Sequence, residues 1–209
     1  MGDTVAHESC HMKTLLRSLL TAGLLCAVAV AAFIVHVRHA GGFSARAEPT
    51  HLEAGLAQTM LKLATPSGAH NRRNPIATTP VSVKQGMEHY ADHCAQCHAN
   101  NGSGQTMLGS GMYPKPPDMR LPATQHKTDG ELFNAIENGI RLSGMPAFGS
   151  ADGSTADESW RLVLFLRHLP ALSAEEEQAM EHENPKSPSD LEEEQKEAAF
   201  LSGGAGAAK

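Results

Sequence analysis

The sequence predicts an all-α protein: one N-terminal helix able to cross a membrane, then a small domain of about three main helices and long loops. Three observations predict this. Residues 18–37, SLLTAGLLCAVAVAAFIVHV, contain no Asp, Glu, Lys or Arg. Past residue 80, three segments carry apolar residues at helical spacing or capping signatures. Between the first two of them, residues 99–127 are too rich in Gly and Pro for a sheet or a long helix. Aromatic residues make up only 4% of the 209, so the core is aliphatic or is completed by something that is not protein.

The run at 18–37 is long enough to span a bilayer as a helix, which leaves 1–17 as a cytoplasmic segment. Lys13 and Arg17 precede it and Arg38 and Arg46 follow it, so charge bias does not set the orientation. The rival reading is a signal peptide cleaved near Ala45-Arg46-Ala47. The length of the run and its distance from that site favour the uncleaved anchor. Leu25 is too large for the residue before a lipidated Cys26, and Cys26 is expected as a small apolar residue in the membrane. Cys10 is expected as a free cytoplasmic thiol.

Residues 38–80 read as a linker. Within it, 51–64 place Leu52, Leu56, Met60 and Leu63 on one helical stripe, a short amphipathic helix suited to a membrane surface or to packing on the domain. Pro66, Gly68, Pro75 and Pro80 make 65–80 irregular. The compact domain is expected over 81–170. Residues 171–209 read as an acidic, disordered tail. From Ser173 onward ten acidic residues face three basic ones, whereas 1–172 hold 13 acidic and 14 basic, so the net charge of −6 belongs to the tail. Steering of a basic partner is the sharper reading of that tail. Lys and Arg are not clustered, which argues against nucleic acid as a partner.

Inside the domain, Val83, Gly86, Met87, Tyr90 and Cys94 mark a first helix over about 82–97. Thr128 with Glu131 forms a capping-box pattern opening a second, which stops near Gly139. Thr155 with Glu158 opens a third, carrying Trp160, Leu162, Val163, Phe165, Leu166 and Leu169 and ending at Pro170. His89, His93 and His168 are expected on helix surfaces. The structureless 99–127 makes sense if it wraps around the missing part of the core.

Cys94-Ala95-Gln96-Cys97-His98 suggests what that part is. C-x-x-C-H is the signature of covalent haem attachment. Two thiols three residues apart can add to the two vinyl groups on one porphyrin edge, and His98 then reaches the iron through Nε2. A zinc site needs further ligands, and no second C-x-x-C exists. A thioredoxin-like dithiol needs a strand–helix context that is missing. The export segment fits, because this attachment takes place outside the cytoplasm. For the sixth iron ligand the candidates are Met107, Met112, Met119, Met145 and His126. Met145 is preferred, because Pro146 and the glycines of Gly144-Met145-Pro146-Ala147-Phe148-Gly149 fix an extended turn that can aim a thioether inward. His126 or an open site is the alternative. Met87, Met107, Met112 and Met119 fit core filling or surface positions.

Residues 81–170 resemble a class I monohaem c-type cytochrome of the short bacterial kind. The resemblance rests on Gly86, Tyr90 and Cys94 at steps of four, C-x-x-C-H at 94–98, YPKPPDM at 113–119, TDGELFNAIENGIRLSGMPAFG at 128–149 and the apolar final helix. It implies a small cytochrome c fold wrapped round one covalent haem c, with Cys94 and Cys97 as thioethers and His98 and Met145 as axial ligands. It also implies that Gly86 and Tyr90 meet Leu162 and Phe165 where the first and last helices cross. The carbonyl of Pro116 or Pro117 would accept the proton on the other nitrogen of His98. Trp160 and Arg141 are candidates for contact with haem propionates, with packing and surface exposure as the plain alternative.

The implied function is electron transfer, not catalysis, with redox proteins at the membrane as donor and acceptor and lipid contacted through 18–37. The expected location is a bacterial inner membrane, single-pass, with the haem domain on the periplasmic side, or a soluble periplasmic protein if the segment is cleaved. The alternatives are a labile sixth site that binds a small ligand, or a redox subunit of a larger oxidoreductase. The anchor, the linker and the tail exceed what a free-standing shuttle needs.

Overall fold

The computed structural model describes residues 2–39, 44–186 and 188–201. The end of the expected tail, 202–209, and the side chain of Cys10 lie outside what is described. All regular elements among the described residues are helical. The chain divides into two units, Met1–Ala47 and Glu48–Lys209.

The first unit holds one helix, α1 (Gly2–His39), which carries the predicted run well past its N-terminal end and two residues past its C-terminal one. Its stretch Met12–His39 has a mean hydropathy of 2.5 over its most apolar window and buries none of it. With apolar residues on every side, such a helix has no solvated face to offer water, which fits a membrane-spanning segment.

The second unit opens with α2 (His51–Ala64), as the stripe predicts. Thr50 and Glu53 close a full capping box at its start. No residue of α2 is buried, so it does not pack on the domain as one of its two expected roles required. The single-turn α3 (Ser67–Asn71) follows.

The stretch expected as a loose linker over 65–80 is instead a strap docked on the domain. Its Ala69 carbonyl lies against Gly130, where any Cβ would overlap it. The Asn74 amide donates to the Trp160 carbonyl at 2.9 Å, and the Asn74 side-chain oxygen accepts from Ile76 N at 2.9 Å. The Arg72 guanidinium lies 4.3 Å from the centre of the Phe133 ring, which in turn stacks on Trp160 at 4.0 Å. Trp160 is thereby a core residue, which supports packing as its role.

The domain proper is built on α4 (Pro80–His93) and α9 (Ala156–His168). Between them run the one-turn helices α5 (Ala95–His98), α6 (Met107–Ser110) and α7 (Pro122–Gln125), then α8 (Asp129–Asn138). Pro80 at the first turn and the Thr79–Ser82 capping pair start α4. The Thr128–Glu131 box starts α8 as predicted. The predicted box at α9 does not form: Thr155 has non-capping backbone angles and spends its hydroxyl on Ser150 instead. The first and last helices cross as the resemblance implies. Gly86 sits against the Arg161 carbonyl and Phe165 Cβ, and the Tyr90 and Phe165 rings lie 5.0 Å apart.

The tail expected to be disordered from 171 departs from that expectation over its first part. Ser173 and Glu176 cap a helix, α10 (Ala174–Glu183), and Met180 on it is 0% exposed within the main core. The signal missed was that box, followed four residues on by one apolar side chain. Glu176 also meets His168 at 2.9 Å. Its carboxyl is held below the usual range, first by the Ser173 amide and also by His168. The last element, α11 (Pro188–Leu201), has its described side chains exposed.

Two substitutions test this packing. Gly86→Ala must push the two crossing helices apart and is expected to cost about 2 kcal/mol in thermal unfolding. Met180→Ala is expected to cost about 3 kcal/mol. An unchanged melting temperature for Met180→Ala would return the tail to its expected disorder.

Candidate functional site

The C-x-x-C-H run sits at a joint between two helices. Cys94 ends α4, with its amide bonded to the Tyr90 carbonyl at 2.8 Å, and α5 carries Cys97 and His98 on one turn. The turn stops because Ala99 takes a left-handed conformation, φ 61°. An Ala in that region is strained and is held there by neighbours. The buried Tyr90 hydroxyl donates to the Ala99 carbonyl at 2.9 Å. Gly104 N donates to the His98 carbonyl at 2.8 Å, and the Thr106 hydroxyl donates to the Cys97 carbonyl at 3.3 Å. The motif backbone is therefore clamped on one side by a core tyrosine and on the other by the loop that follows it.

That loop is ordered by close backbone approach. Gly102 and Gly104 have φ of +74° and +72°, which only glycine adopts readily. A Cβ on Gly104 would lie 2.5 Å from the Pro116 carbonyl oxygen, and one on Gly109 would lie 2.5 Å from the Cys97 carbonyl. Pro116 is thus brought against the loop leaving His98, while Pro117 is exposed. Neither carbonyl bonds to His98: its Nδ1 is buried without a partner.

Met145 lies in a turn docked on the end of α8. Ile140 N donates to the Met145 carbonyl at 3.2 Å, and Met145 N donates to the Ser143 hydroxyl at 3.1 Å. Phe148 N and Gly149 N then donate to the Ile136 and Glu137 carbonyls at 3.0 and 3.1 Å. Gly139, φ +64°, makes the docking possible, since a Cβ there would lie 2.6–2.8 Å from the Met145–Ala147 backbone. Met145 is half-buried. Among the other candidates, Met107 is 94% exposed, His126 is exposed and Met119 is buried in the core. Met112, assigned to filler in the sequence, lies with its methyl against Gly144, next to Met145. No signal in the sequence pairs those two loops.

Arg141 is exposed. His89 and His93 stack at 4.6 Å on α4, and His93 meets the Phe148 ring edge-on at 6.5 Å. They are surface residues as expected, and they flank the turn that carries Met145.

The electrostatics suit neutral ligands. Burial pushes the Cys94 thiol up to about 12, with Cys97 adding to it, and burial raises Cys97 as well. Burial lowers His98, so its imidazole is neutral near pH 7. Both thiols are free. These residues fit a covalently held haem: two protonated thiols one turn apart, and beside them a half-buried neutral imidazole whose buried Nδ1 is left unpaired. Among the described residues no group of three or more His, Cys, Asp or Glu stands together as a metal site.

Residues 81–166 match the family described as cytochrome C oxidase, cbb3-type, subunit III. No curated protein matches the chain. The matched stretch starts in the first turn of α4 and runs into the last turn of α9, so it contains the motif, its clamp and the Met145 turn. Residues 81–166 are a c-type cytochrome domain, in a chain whose N-terminal apolar helix fits a membrane anchor.

Proposed function

We propose that this protein carries single electrons at a membrane through one haem c, bound covalently by Cys94 and Cys97 and ligated by His98 and Met145. The observation that carries the reading is the clamped C-x-x-C-H joint with its half-buried neutral His98, whose Nδ1 is buried, in a domain whose Met145 turn is independently fixed on α8. When bound, the haem supplies an iron centre that cycles between Fe(II) and Fe(III). The chain supplies the rest. Tyr90, Gly104 and Thr106 hold the motif backbone so that both thiols and the imidazole keep one geometry. The loop 99–119 and the Met145 turn exclude water and hold their ligands rigid, so that little reorganises as charge changes. With Met145 and His98 as the residues that would hold the iron, a thioether together with an imidazole would favour the reduced state relative to two imidazoles. The carbonyl of Pro116, which packs beside the loop leaving His98, is the acceptor proposed for His98 Nδ1–H, in preference to Pro117. That bond would fix the tautomer that leaves Nε2 free for iron.

The proposed location follows from the same residues. Haem attachment of this kind takes place outside the cytoplasm, so α1 is read as a retained anchor with the haem domain on the periplasmic side. Tethering restricts the domain to partners near the membrane and keeps it at high effective concentration there. A second reading, in which the domain is a fixed redox subunit of a terminal oxidase, is favoured by the family description alone. Stable copurification with oxidase subunits would support it over a tethered shuttle.

The first test is a visible spectrum of the haem-loaded protein, oxidised, then reduced, then exposed to CO. A c-type spectrum with the weak far-red iron–methionine band and no response to CO is expected. A high-spin spectrum, or ready CO binding, would instead support a labile sixth site. In Met145→Ala the far-red band should vanish and CO should bind. Retention of the band would transfer the role to another thioether, Met112 first. Gly139→Ala, far from the motif in sequence, should weaken the same band and cost about 1–2 kcal/mol in stability, because its backbone is left-handed and the turn rests on it.

A further inference from the structure

We propose that α2 is an interfacial helix whose Leu52–Leu56–Met60–Leu63 stripe lies on the lipid surface of the membrane crossed by α1, and so orients the haem loop toward that surface. The inference rests on the anchor reading of α1.

Four observations carry it. The stripe is left bare: Leu52, Leu56, Met60 and Leu63 are 59–82% exposed. On the opposite side of α2, Ala54 is partly buried and Leu61 is the least exposed of the helix's leucines. A four-residue aliphatic row turned to water over three helical turns asks for an apolar partner.

Chain length limits where that partner is. Eleven residues separate His39 at the end of α1 from His51 at the start of α2. Even fully extended they reach about 40 Å, so α2 stays in the neighbourhood of the bilayer. At the effective concentration such a tether sets, a weakly amphipathic helix is held on the surface although it would not bind as a free peptide.

Charge selects the same occupant. Residues 38–80 hold five basic residues; Arg72 lies over the Phe133 ring, which leaves Arg38, Arg46, Lys62 and Arg73 against Glu48 and Glu53, in a chain whose net charge is −6. Glu48 is already paired with Lys115. The segment nearest the membrane is thus the basic part of an acidic protein, matched to anionic headgroups. The stripe itself lacks Trp, Tyr and Arg, the anchors that dominate protein–protein contacts.

The fourth observation gives the contact a consequence. The chain entering α2 is tied to the 113–119 loop through the Glu48–Lys115 pair. The same loop carries Pro116, packed on Gly104 beside the motif. Seating α2 on lipid therefore fixes which way this side of the domain faces, and a tethered carrier becomes an oriented one.

The test uses the full haem-loaded chain with Cys10→Ser and Cys26→Ser, reconstituted in phosphatidylcholine vesicles with and without phosphatidylglycerol. Spin labels are placed through Leu56→Cys or Met60→Cys on the stripe, and through Gln58→Cys on the opposite side. Collision with oxygen is compared with collision with a water-soluble nickel chelate. The oxygen-to-nickel ratio should be several-fold higher at 56 and 60 than at 58, and the contrast should grow with phosphatidylglycerol. Equal, water-like ratios at all three positions overturn the proposal, as does shielding of 56 and 60 from both reagents, which would indicate a protein partner. Carbonate extraction and the intact mass separate the two readings. Protein that is extracted, or that lacks residues 1–47, sinks the anchor and this inference together. Embedded full-length protein with water-like labels sinks the inference alone.

Discussion

The close crossing of α4 and α9 sets the geometry of everything else in the domain. Gly86 brings the α4 backbone onto the Arg161 carbonyl, nearer than any side chain permits. At that distance Tyr90 and Phe165 pack ring to ring, both almost wholly buried. Tyr90 then has its hydroxyl at the one place where it can reach the Ala99 carbonyl, just past the C-x-x-C-H run. A packing constraint in the core is thus converted, through one phenol, into a positional constraint on the site.

The loops repeat the pattern with backbone in place of side chains. A stretch of about thirty residues with little regular structure is costly to order. Here the order comes from glycines at which two chain segments touch: Gly104 on Pro116, Gly109 on Cys97 and Gly139 on the Met145 turn. Each contact removes the space a Cβ would need, so the loops are held by shape. The two thiols and the imidazole, and the turn that carries Met145, are consequently fixed by unrelated parts of the chain.

The folded body extends beyond the stretch that resembles a cytochrome. Ahead of it, the strap at 69–77 is pinned by Asn74 on Trp160 and by Arg72 over Phe133. Behind it, α10 inserts Met180 into the main core. Both additions close over the helices that carry the site, and both shorten the length of chain that is free to act as a tether or a tail.

The sequence by itself determined the family resemblance and the periodic elements. A contiguous C-x-x-C-H run can be recognised without a fold, because its two thiols and its imidazole lie within one helical turn. The 18–37 run, the α2 stripe and the Thr128–Glu131 box are equally local, and each appears where spacing alone puts it. Only the tertiary structure decided what depends on distant partners. The Thr155–Glu158 pattern is as good locally as that at Thr128, yet Ser150 captured the hydroxyl. Met180 reads as one apolar residue in an acidic run until α4 offers it a cavity to fill. Pro116 and Pro117 are indistinguishable as letters, whereas the Gly-Met-Pro turn sets Met145 apart from the other methionines in the sequence alone. What the letters do not hold is that Pro116 packs on Gly104 and that Met112 packs on Gly144 beside Met145, because a one-dimensional pattern carries no record of such distances.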